Sequence, residues 1–416
     1  MHKFYILIVT LFSFFVVSSQ VVEELAPPEY IKTLYFEQDG EVLNGIPLIK
    51  IGDPFTIKYD DIIGDEAFYY YKISHCDFDW KPSNLNKNNY MVGIDNIRIN
   101  NVQNSLNSLQ IYTHYEVSIP NQSTQGLKVT GNYLFELYDD NEALVLSKKF
   151  ILYSNNAKVQ VQIKRSRDLK YVREKQVVQF EISPTELIIN PNKNFKVVAM
   201  QNSNLKTAIT NLKPQFTIGN TYTYKYDQEA SFWGGNEYWN VDNKDLRNAN
   251  SSVAKIELLE IYNHYLFVHP YRALRPYTYN PDINGNFAVR NFDANNSDIE
   301  AEYIWTHFRL KVQEIYDKEV HLFGNFNNYQ INESTKLNFD PELLAYTGKQ
   351  LIKQGFQNFK YVTVSKDGTI DEGEICGNFD TTENEYIVLV YYRSPSDMTE
   401  RIIGIGSANS KDIRSN

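Results

Sequence analysis

The first stretch whose residue types could do chemistry is His75-Cys76-Asp77-Phe78-Asp79-Trp80, which gathers several potential metal ligands. On a β-strand, His75, Asp77 and Asp79 would face one side and Cys76 the other. Metal sites usually recruit their remaining ligands at recognisable spacings, and the rest of the chain supplies no matching Cys/His pair. We therefore expect a strand end with buried Cys76 and Trp80, and no bound metal.

A second potential cation site is the run Asp282-Ile283-Asn284-Gly285-Asn286. A helix-loop-helix calcium loop has glycine at its sixth position and glutamate at its twelfth. Here the glycine is fourth, and position twelve from Asp282 is Asp293. A hairpin turn fits the run better than a calcium loop. We expect neither a metal nor any other cofactor.

Catalytic motifs are missing from the sequence. It has no Gly-x-Ser-x-Gly, no phosphate-binding loop, and no hydrolase-like motif around any of its seven histidines. The carboxylate pairs Asp60/Asp61 and Asp139/Asp140 are expected in turns, solvated. We predict that the protein is not an enzyme and has no small-molecule substrate.

The most unusual run is Ala230-Ser231-Phe232-Trp233-Gly234-Gly235-Asn236-Glu237-Tyr238-Trp239, with four aromatic side chains around a double glycine. The glycines must bend the chain, so the aromatics cannot all enter one strand. Two interpretations stay open. The aromatics cap a domain core at a bulged strand edge, or Phe232, Trp233, Tyr238 and Trp239 form a contact patch for a partner.

The elements that position these residues are strands. Polar and apolar residues alternate in residues 158–164, 178–182 and 221–226, and over shorter spans in residues 55–59 and 133–137. Such alternation is typical of strands with one solvent-facing side, hence of antiparallel sheets. The fold class that we predict is all-β, with tandem antiparallel immunoglobulin-like β-sandwich domains.

The order of these segments predicts how the chain is organised. Residues 1–19 have the short basic start and the apolar run of a secretory signal peptide, so the mature, exported chain should begin near Gln20. We expect an N-terminal β-sandwich over residues 28–154, a central β domain over residues 157–298 and a C-terminal β-sandwich over residues 299–395. A polar tail, residues 396–416, should follow.

Composition excludes several classes of partner. The net charge is −10 and no Lys/Arg stripe occurs, which disfavours nucleic acid. No polybasic or amphipathic segment suits anionic lipid, and no second apolar run reaches membrane length, so direct membrane insertion is not expected. Two cysteines, Cys76 and Cys376, exclude a disulfide scaffold. Two separately buried thiols are favoured over one long-range bridge.

Short motifs in a fixed order resemble the type IX secretion system plug protein family. His75-Cys76-Asp77-Phe78-Asp79-Trp80-Lys81-Pro82-Ser83 is similar to that family's CD-x-x-W-x-x-S signature, and Phe232-Trp233-Gly234-Gly235-Asn236-Glu237 to its F-x-GGNE core. The other matching motifs are Tyr112-Thr113-His114-Tyr115 with Ile119-Pro120, Gly131-Asn132-Tyr133, Asn190-Pro191, Gln201-Asn202, Asp282-Ile283-Asn284-Gly285, Ala301-Glu302-Tyr303 and Leu351-Ile352-Lys353-Gln354-Gly355-Phe356. The resemblance covers about residues 30–395. Tyr238-Trp239 stands where the family has Phe-Arg, and Phe356 where it has Tyr.

This resemblance implies a periplasmic protein associated with the inner side of the outer membrane. Its partner would be the large outer-membrane β-barrel translocon protein through which type IX substrates leave the cell. The protein would close the periplasmic mouth of that barrel when no substrate is being exported.

A second resemblance suggests an alternative function. Val320-His321-Leu322-Phe323-Gly324-Asn325-Phe326-Asn327-Asn328-Tyr329 is similar to the opening of glycogen-binding-like immunoglobulin-type modules, which stack exposed aromatic rings on sugars. Tyr329 stands where such modules often have Trp. The alternative is therefore a periplasmic carbohydrate-binding β-sandwich protein.

Overall fold

Strands dominate the computed structural model, which describes residues 23–413. The predicted signal peptide, residues 1–19, and the start of the mature chain at Gln20 lie outside the described residues. The all-β class is confirmed. The longest α-helices between residues 23 and 413 have four residues, so no helix there is long and apolar enough to cross a membrane.

The first domain is a sandwich of two five-stranded sheets with strand orders β2-β1-β4-β9-β8 and β3-β12-β11-β5-β7, beside the two-stranded ribbon β10-β6. Its elements are β1 Ile31–Gln38, β2 Glu41–Val42, β3 Leu48–Lys50, β4 Phe55–Asp61, β5 Tyr70–Cys76, α1 Lys87–Tyr90, β6 Met91–Gly93, β7 Ile97–Arg98, β8 Asn101–Asn104, β9 Thr113–Ile119, β10 Thr124–Leu127, β11 Gly131–Tyr138 and β12 Leu144–Tyr153. Phe36 and Ile57 of one sheet share a buried core with Phe135 and Phe150 of the other.

The second domain begins with seven strands and one short helix: β13 Ala157–Arg165, β14 Lys175–Pro184, α2 Pro191–Asn194, β15 Phe195–Gln201, β16 Asn204–Ile209, β17 Phe216–Ile218, β18 Thr221–Tyr224 and β19 Ser231–Trp233. One sheet has the order β13-β14-β18-β17, with β19 paired to β14. The alternation in residues 158–164 thus correctly predicted β13.

The third domain is one sheet of eleven strands: β20 Trp239–Asp242, β21 Val253–Leu258, β22 Tyr262–Leu266, β23 His269–Pro270, β24 Phe287–Val289, β25 Tyr303–Lys311, β26 Lys318–Phe323, β27 Lys336–Asp340, β28 Ala345–Lys353, β29 Gly355–Ser365 and β30 Ile370–Asp371, with helices α3 Ser297–Glu300 and α4 Gly373–Cys376. Val253 near one end of the strand order and Val241 at the other belong to the same buried core. The sheet therefore curls over itself, as large twisted sheets do.

The chain then returns to the second domain. Strands β31 Glu385–Tyr392 and β32 Arg401–Asn409 complete its second sheet, with order β16-β15-β31-β32. Phe195 and Tyr392 are paired residues in this sheet and share the core of the second domain.

This return corrects the expected boundaries of the second and third domains. Residues 239–298, expected in the central domain, supply strands β20 to β24 of the third. Residues 401–409, expected in a polar tail, form β32 with buried Ile402 and Ile403. The pairing of β15 with β31 joins residues about 190 positions apart, and periodicity within a segment carries no information about such distant pairing.

Candidate functional site at the junctions between the domains

Asp60 lies at the centre of a buried charge network between the first and third domains. Its Oδ1 is 2.6 Å from His114 Nδ1, and its Oδ2 is 2.6 Å from Lys353 Nζ and accepts the Tyr303 hydroxyl proton at 2.6 Å. Strand register explains the meeting: Asp60 pairs with His114 across β4 and β9, and Tyr303 pairs with Lys353 across β25 and β28. One cross-strand pair from each domain therefore faces the other.

The network keeps Asp60 ionised. Burial disfavours its charge, but the Lys353 ammonium and the His114 ring outweigh burial and hold the pKa of Asp60 below its usual value. Burial also lowers the pKa of His114, yet hydrogen bonds to Asp60 and Glu116 raise the pKa of this ring overall. The expectation that Asp60 and Asp61 sit solvated in a turn is wrong, because both carboxylates are buried in β4. Asp139 and Asp140 do lie in a turn.

A second cluster lies beside the first. His114, Glu116 and Asp298 offer ligand atoms within 4.8 Å of one another, a spacing that could hold a metal ion. The Lys58 ammonium lies 2.9 Å from Asp298 and 3.7 Å from Glu116. A protein cation thus already balances these carboxylates, and the cluster is best described as an ion-pair network. Sequence reasoning missed it, since its members come from two domains.

The motif Gly234-Gly235-Asn236-Glu237 joins the second domain to the third. The Phe379 N–H donates to Gly235 O at 2.9 Å, and the Asn236 side chain donates to Cys376 O at 2.7 Å. A Cβ atom on Gly234 would lie 2.0 Å from Phe379 O, so only glycine allows this close backbone approach.

The carboxylate of Glu237 is buried at the same junction. Its Oε1 accepts hydrogen bonds from the Tyr277 hydroxyl and the Glu383 N–H, and the Arg272 guanidinium donates to its backbone oxygen. Burial, with Asp282 and Glu383 nearby, raises the pKa of Glu237 above its usual value.

The motif around Asp77 joins the first domain to the second. The Asn132 side chain donates to Asp77 O at 2.8 Å and accepts the Tyr391 hydroxyl proton at 2.8 Å. Phe78 packs edge-on against the Tyr391 ring with centroids 4.9 Å apart, and Trp80 contacts the same apolar cluster. This cluster contains Ile46 and Ile151 of the first domain with Val198, Met200, Ile387, Leu389, Tyr391 and Ile402 of the second.

The potential metal ligands of this motif are not brought together. Strand β5 ends at Cys76, and Asp77 instead accepts the N–H groups of Asp79 and Lys81 in a turn. His75 packs edge-on against Tyr133 at 4.9 Å, and burial lowers its pKa to about 4. Cys76 and Cys376 are buried, free thiols, as expected.

Asp282 and the Gln354-Gly355 motif also make hydrogen bonds that fix neighbouring stretches of the backbone. Asp282 accepts the N–H groups of Tyr238 at 2.5 Å and Asn284 at 2.8 Å, and residues 284–285 form a turn. The hairpin interpretation is wrong, because residues 271–286 contain no strand and β24 after the turn pairs with β29. Gln354 donates to Lys244 O at 2.9 Å, and the Gly355 N–H donates to Asn243 at 2.6 Å.

The proposed contact patch of four aromatics is not formed. Phe232 and Tyr238 are buried, and Trp239 is half-buried between Phe359 and the Arg272 guanidinium. Only Trp233 is exposed, at 47%, beside Tyr171. The bend at the two glycines directs the aromatic side chains towards the cores of two domains. This agrees with the interpretation that the aromatics cap a domain core and not with the contact patch.

The expected sugar-stacking residue is also buried. Tyr329 packs against Phe323 with ring centroids 5.0 Å apart, and its hydroxyl donates to Asn44 of the first domain at 3.3 Å. Its ring therefore cannot stack on a bound sugar in this conformation.

Comparisons with known proteins give one match to the first domain and one match to nearly the whole chain. Residues 31–154 match the family model described as "Type 9 secretion system plug protein 1st domain". A crystal structure of a hypothetical protein from Parabacteroides merdae ATCC 43184 is 28% identical with a TM-score of 0.87, and the match covers 93% of this chain and 98% of that chain. This chain is therefore similar to that protein over all three domains.

Other matches are weaker. Trypsin-activated alpha-2-macroglobulin from Escherichia coli is 7% identical with a TM-score of 0.18, over 94% of this chain and 29% of that chain. Dimeric latent PorU from Porphyromonas gingivalis is 9% identical with a TM-score of 0.15, over 94% of this chain and 34% of that chain. Neither similarity carries an argument about fold. No curated protein matches the chain.

The family resemblance deduced from the ordered motifs is thus confirmed by the match over β1 to β12. Over residues 31–154, this chain matches the first domain of the type 9 secretion system plug protein family.

Proposed function

We propose that the protein is a periplasmic plug that binds and seals the periplasmic mouth of the type IX outer-membrane translocon barrel while no substrate is being exported. On this proposal its role is structural, and it has no catalytic step. The observation that carries the proposal is that the family motifs lie at the junctions between domains. Asp77 and Asn132 lie at the junction of the first and second domains, and residues 234–237 lie at the junction of the second and third. Tyr303 and Lys353 lie at the junction of the first and third domains.

These junctions favour one rigid body. Moving the first domain away from the third would leave the Lys353 ammonium and the Asp60 carboxylate without each other, and breaking a buried ion pair is strongly unfavourable. The return of β31 and β32 into the second domain also fixes both ends of the third domain. A stopper needs this property, because a body with hinged domains would leak solutes or be drawn through the channel.

Co-purification tests the proposal. The tagged full-length protein is expressed in the bacterium that encodes it, and the outer membranes are solubilised in mild detergent before capture. We expect one very large barrel protein in the captured material, and no such protein with an equally tagged, unrelated periplasmic protein. Capture without any barrel protein would contradict the proposal.

The same purified protein separates the carbohydrate alternative from the plug. Retarded migration in gels containing polysaccharide would favour the alternative. Because Tyr329 is buried, we expect unretarded migration.

A further inference from the structure

The loop of residues 105–112, between β8 and β9, presents aliphatic side chains to solvent. Leu106 is 51% exposed, Leu109 50% and Ile111 57%, and Ile63 on the neighbouring loop is 56% exposed. The two loops touch: Gln110 donates to Ile62 O at 3.1 Å, and a Cβ on Gly64 would lie 2.7 Å from the Ile111 side chain. We call Ile63, Leu106, Leu109 and Ile111 the apolar loop patch.

The backbone under this patch is held by two domains. Within the first domain, the Ser105 N–H donates to Tyr112 O at 2.8 Å. From the third domain, Ile299 O accepts the Leu106 N–H at 2.8 Å, and the buried Glu302 carboxylate accepts the Leu109 N–H at 2.8 and 3.0 Å. Main-chain groups make these contacts, so the aliphatic side chains are left free. The loop is therefore preorganised and loses little conformational entropy when it binds.

The negative charge beside the apolar loop patch indicates which kind of partner can bind there. Asp65 and Glu66 are exposed next to Ile63, and neither lies within ion-pair distance of a cation among residues 23–413. Two copies that docked patch to patch would bring these four carboxylates together, and an anionic lipid surface would repel them. A protein surface with an apolar centre and basic side chains at its rim fits both features.

We propose that the apolar loop patch is the surface through which this plug binds the secretion pore, and that the pore presents an apolar contact bordered by Lys or Arg. This inference rests on the proposed function and adds to it a binding surface and the chemistry of its partner. Binding energy concentrates in the apolar centre of an interface, where a polar rim excludes water.

The test measures binding of the purified barrel protein to immobilised full-length plug. Leu109→Ser with Ile111→Ser removes two exposed side chains and keeps every backbone contact, so we expect unchanged thermal stability and binding weakened by about 10-fold or more. Asp65→Lys with Glu66→Lys should also weaken binding, and more strongly at low salt than at high salt. The control is Phe216→Ser with Ile218→Ser on β17, where the side chains are 60% and 80% exposed, and binding should stay at the wild-type level.

Each outcome bears on one claim. Wild-type binding that the loop variants do not weaken would overturn this inference and leave the proposed function intact. Failure of the wild-type protein to bind the barrel would overturn the proposed function itself. Concentration-dependent dimers, or sedimentation with anionic vesicles, that the loop substitutions abolish would assign the patch to a second copy or to lipid and overturn the inference.

Discussion

The Lys353 ammonium of the third domain lies 2.6 Å from the Asp60 carboxylate of the first, and their side chains are 3% and 1% exposed. The two residues are 293 positions apart in the chain. This pair is the most deeply buried ion pair between these domains in the part of the chain that the structure describes. The rigidity that we ascribe to the plug depends on it.

The first prediction concerns this pair. Asp60→Asn removes the charge and leaves the Lys353 ammonium buried without a counter-ion, so we expect a loss of about 3–5 kcal/mol in the free energy of unfolding. Urea denaturation measures this. The control is Asp317→Asn, whose partner Lys366 lies 2.9 Å away with side chains 82% and 81% exposed, and which should change stability by less than about 1 kcal/mol. Equal stability of the two variants would contradict the prediction.

The second prediction concerns Gly355. A Cβ atom there would lie 1.9 Å from Ala288 O, and the Gly355 N–H donates to Asn243 at 2.6 Å. Gly355→Ala should therefore destabilise the protein by about 3 kcal/mol or more, since backbone must move. The control is Gly40→Ala, where nothing lies within 4 Å and only the positive φ of 82° opposes the substitution, at about 1–2 kcal/mol. Thermal melting compares them, and a milder effect at Gly355 would refute the steric explanation.

The third prediction compares how much two tryptophans, Trp239 and Trp233, contribute to the stability of the protein. Trp239→Ala removes a ring that packs on Phe359 and beneath Arg272, so we expect a loss of about 3 kcal/mol. Trp233→Ala removes an exposed ring and should cost about 1 kcal/mol or less. Melting temperatures of the two single variants give the answer. A larger loss at Trp233 would mean that the bend places these rings differently.

The fourth prediction concerns pH. Burial lowers the pKa of His75 to about 4, whereas an unfolded histidine has a pKa near 6.5. Between these values the unfolded state binds the proton more readily, so the contribution of neutral His75 to stability is complete above pH 6.5. It is lost as the pH falls towards 4, by about 1.4 kcal/mol per pH unit. Urea denaturation from pH 7 to 4.5 should show this decline.

The matched variant is His75→Leu, which cannot be protonated. Whatever its stability at pH 7, its stability should fall less steeply between pH 6.5 and 4.5 than that of the wild type. His269, whose burial lowers its pKa to about 4 as well, stays in both proteins and contributes equally to both slopes. Identical slopes would show that His75 is not the titrating group.

The sequence predicted the fold class and individual strands because alternation is a local property. Residues 158–164, expected in a strand, lie in Ala157–Arg165, and the Asn284-Gly285 turn lies before the strand Phe287–Val289. The boundaries of the second and third domains were wrong because Phe195 pairs with Tyr392. No local pattern encodes a pairing over that distance. The immunoglobulin-like topology stays a prediction.

The candidate site was predicted only in part. The ordered motifs identified the family and most residues at the junctions, including Asn132, Asn236 and Tyr303. The role of Asp60 was missed because alternation places it on the strand face opposite Phe55, Ile57 and Tyr59, the face that the sequence predicts to be exposed to solvent. Its partners His114 and Lys353 come from other strands, and only the three-dimensional structure brings them within 2.6 Å.

The most direct test of the proposed plug is the ionic conductance of the purified barrel protein in a planar bilayer, recorded before and after the full-length protein is added on the periplasmic side. We predict that the wild-type protein closes the channel, and that Leu109→Ser with Ile111→Ser requires about 10-fold more protein for the same closure. An open channel with unchanged conductance, while the wild-type protein is demonstrably bound, would contradict the proposal that this protein seals the pore.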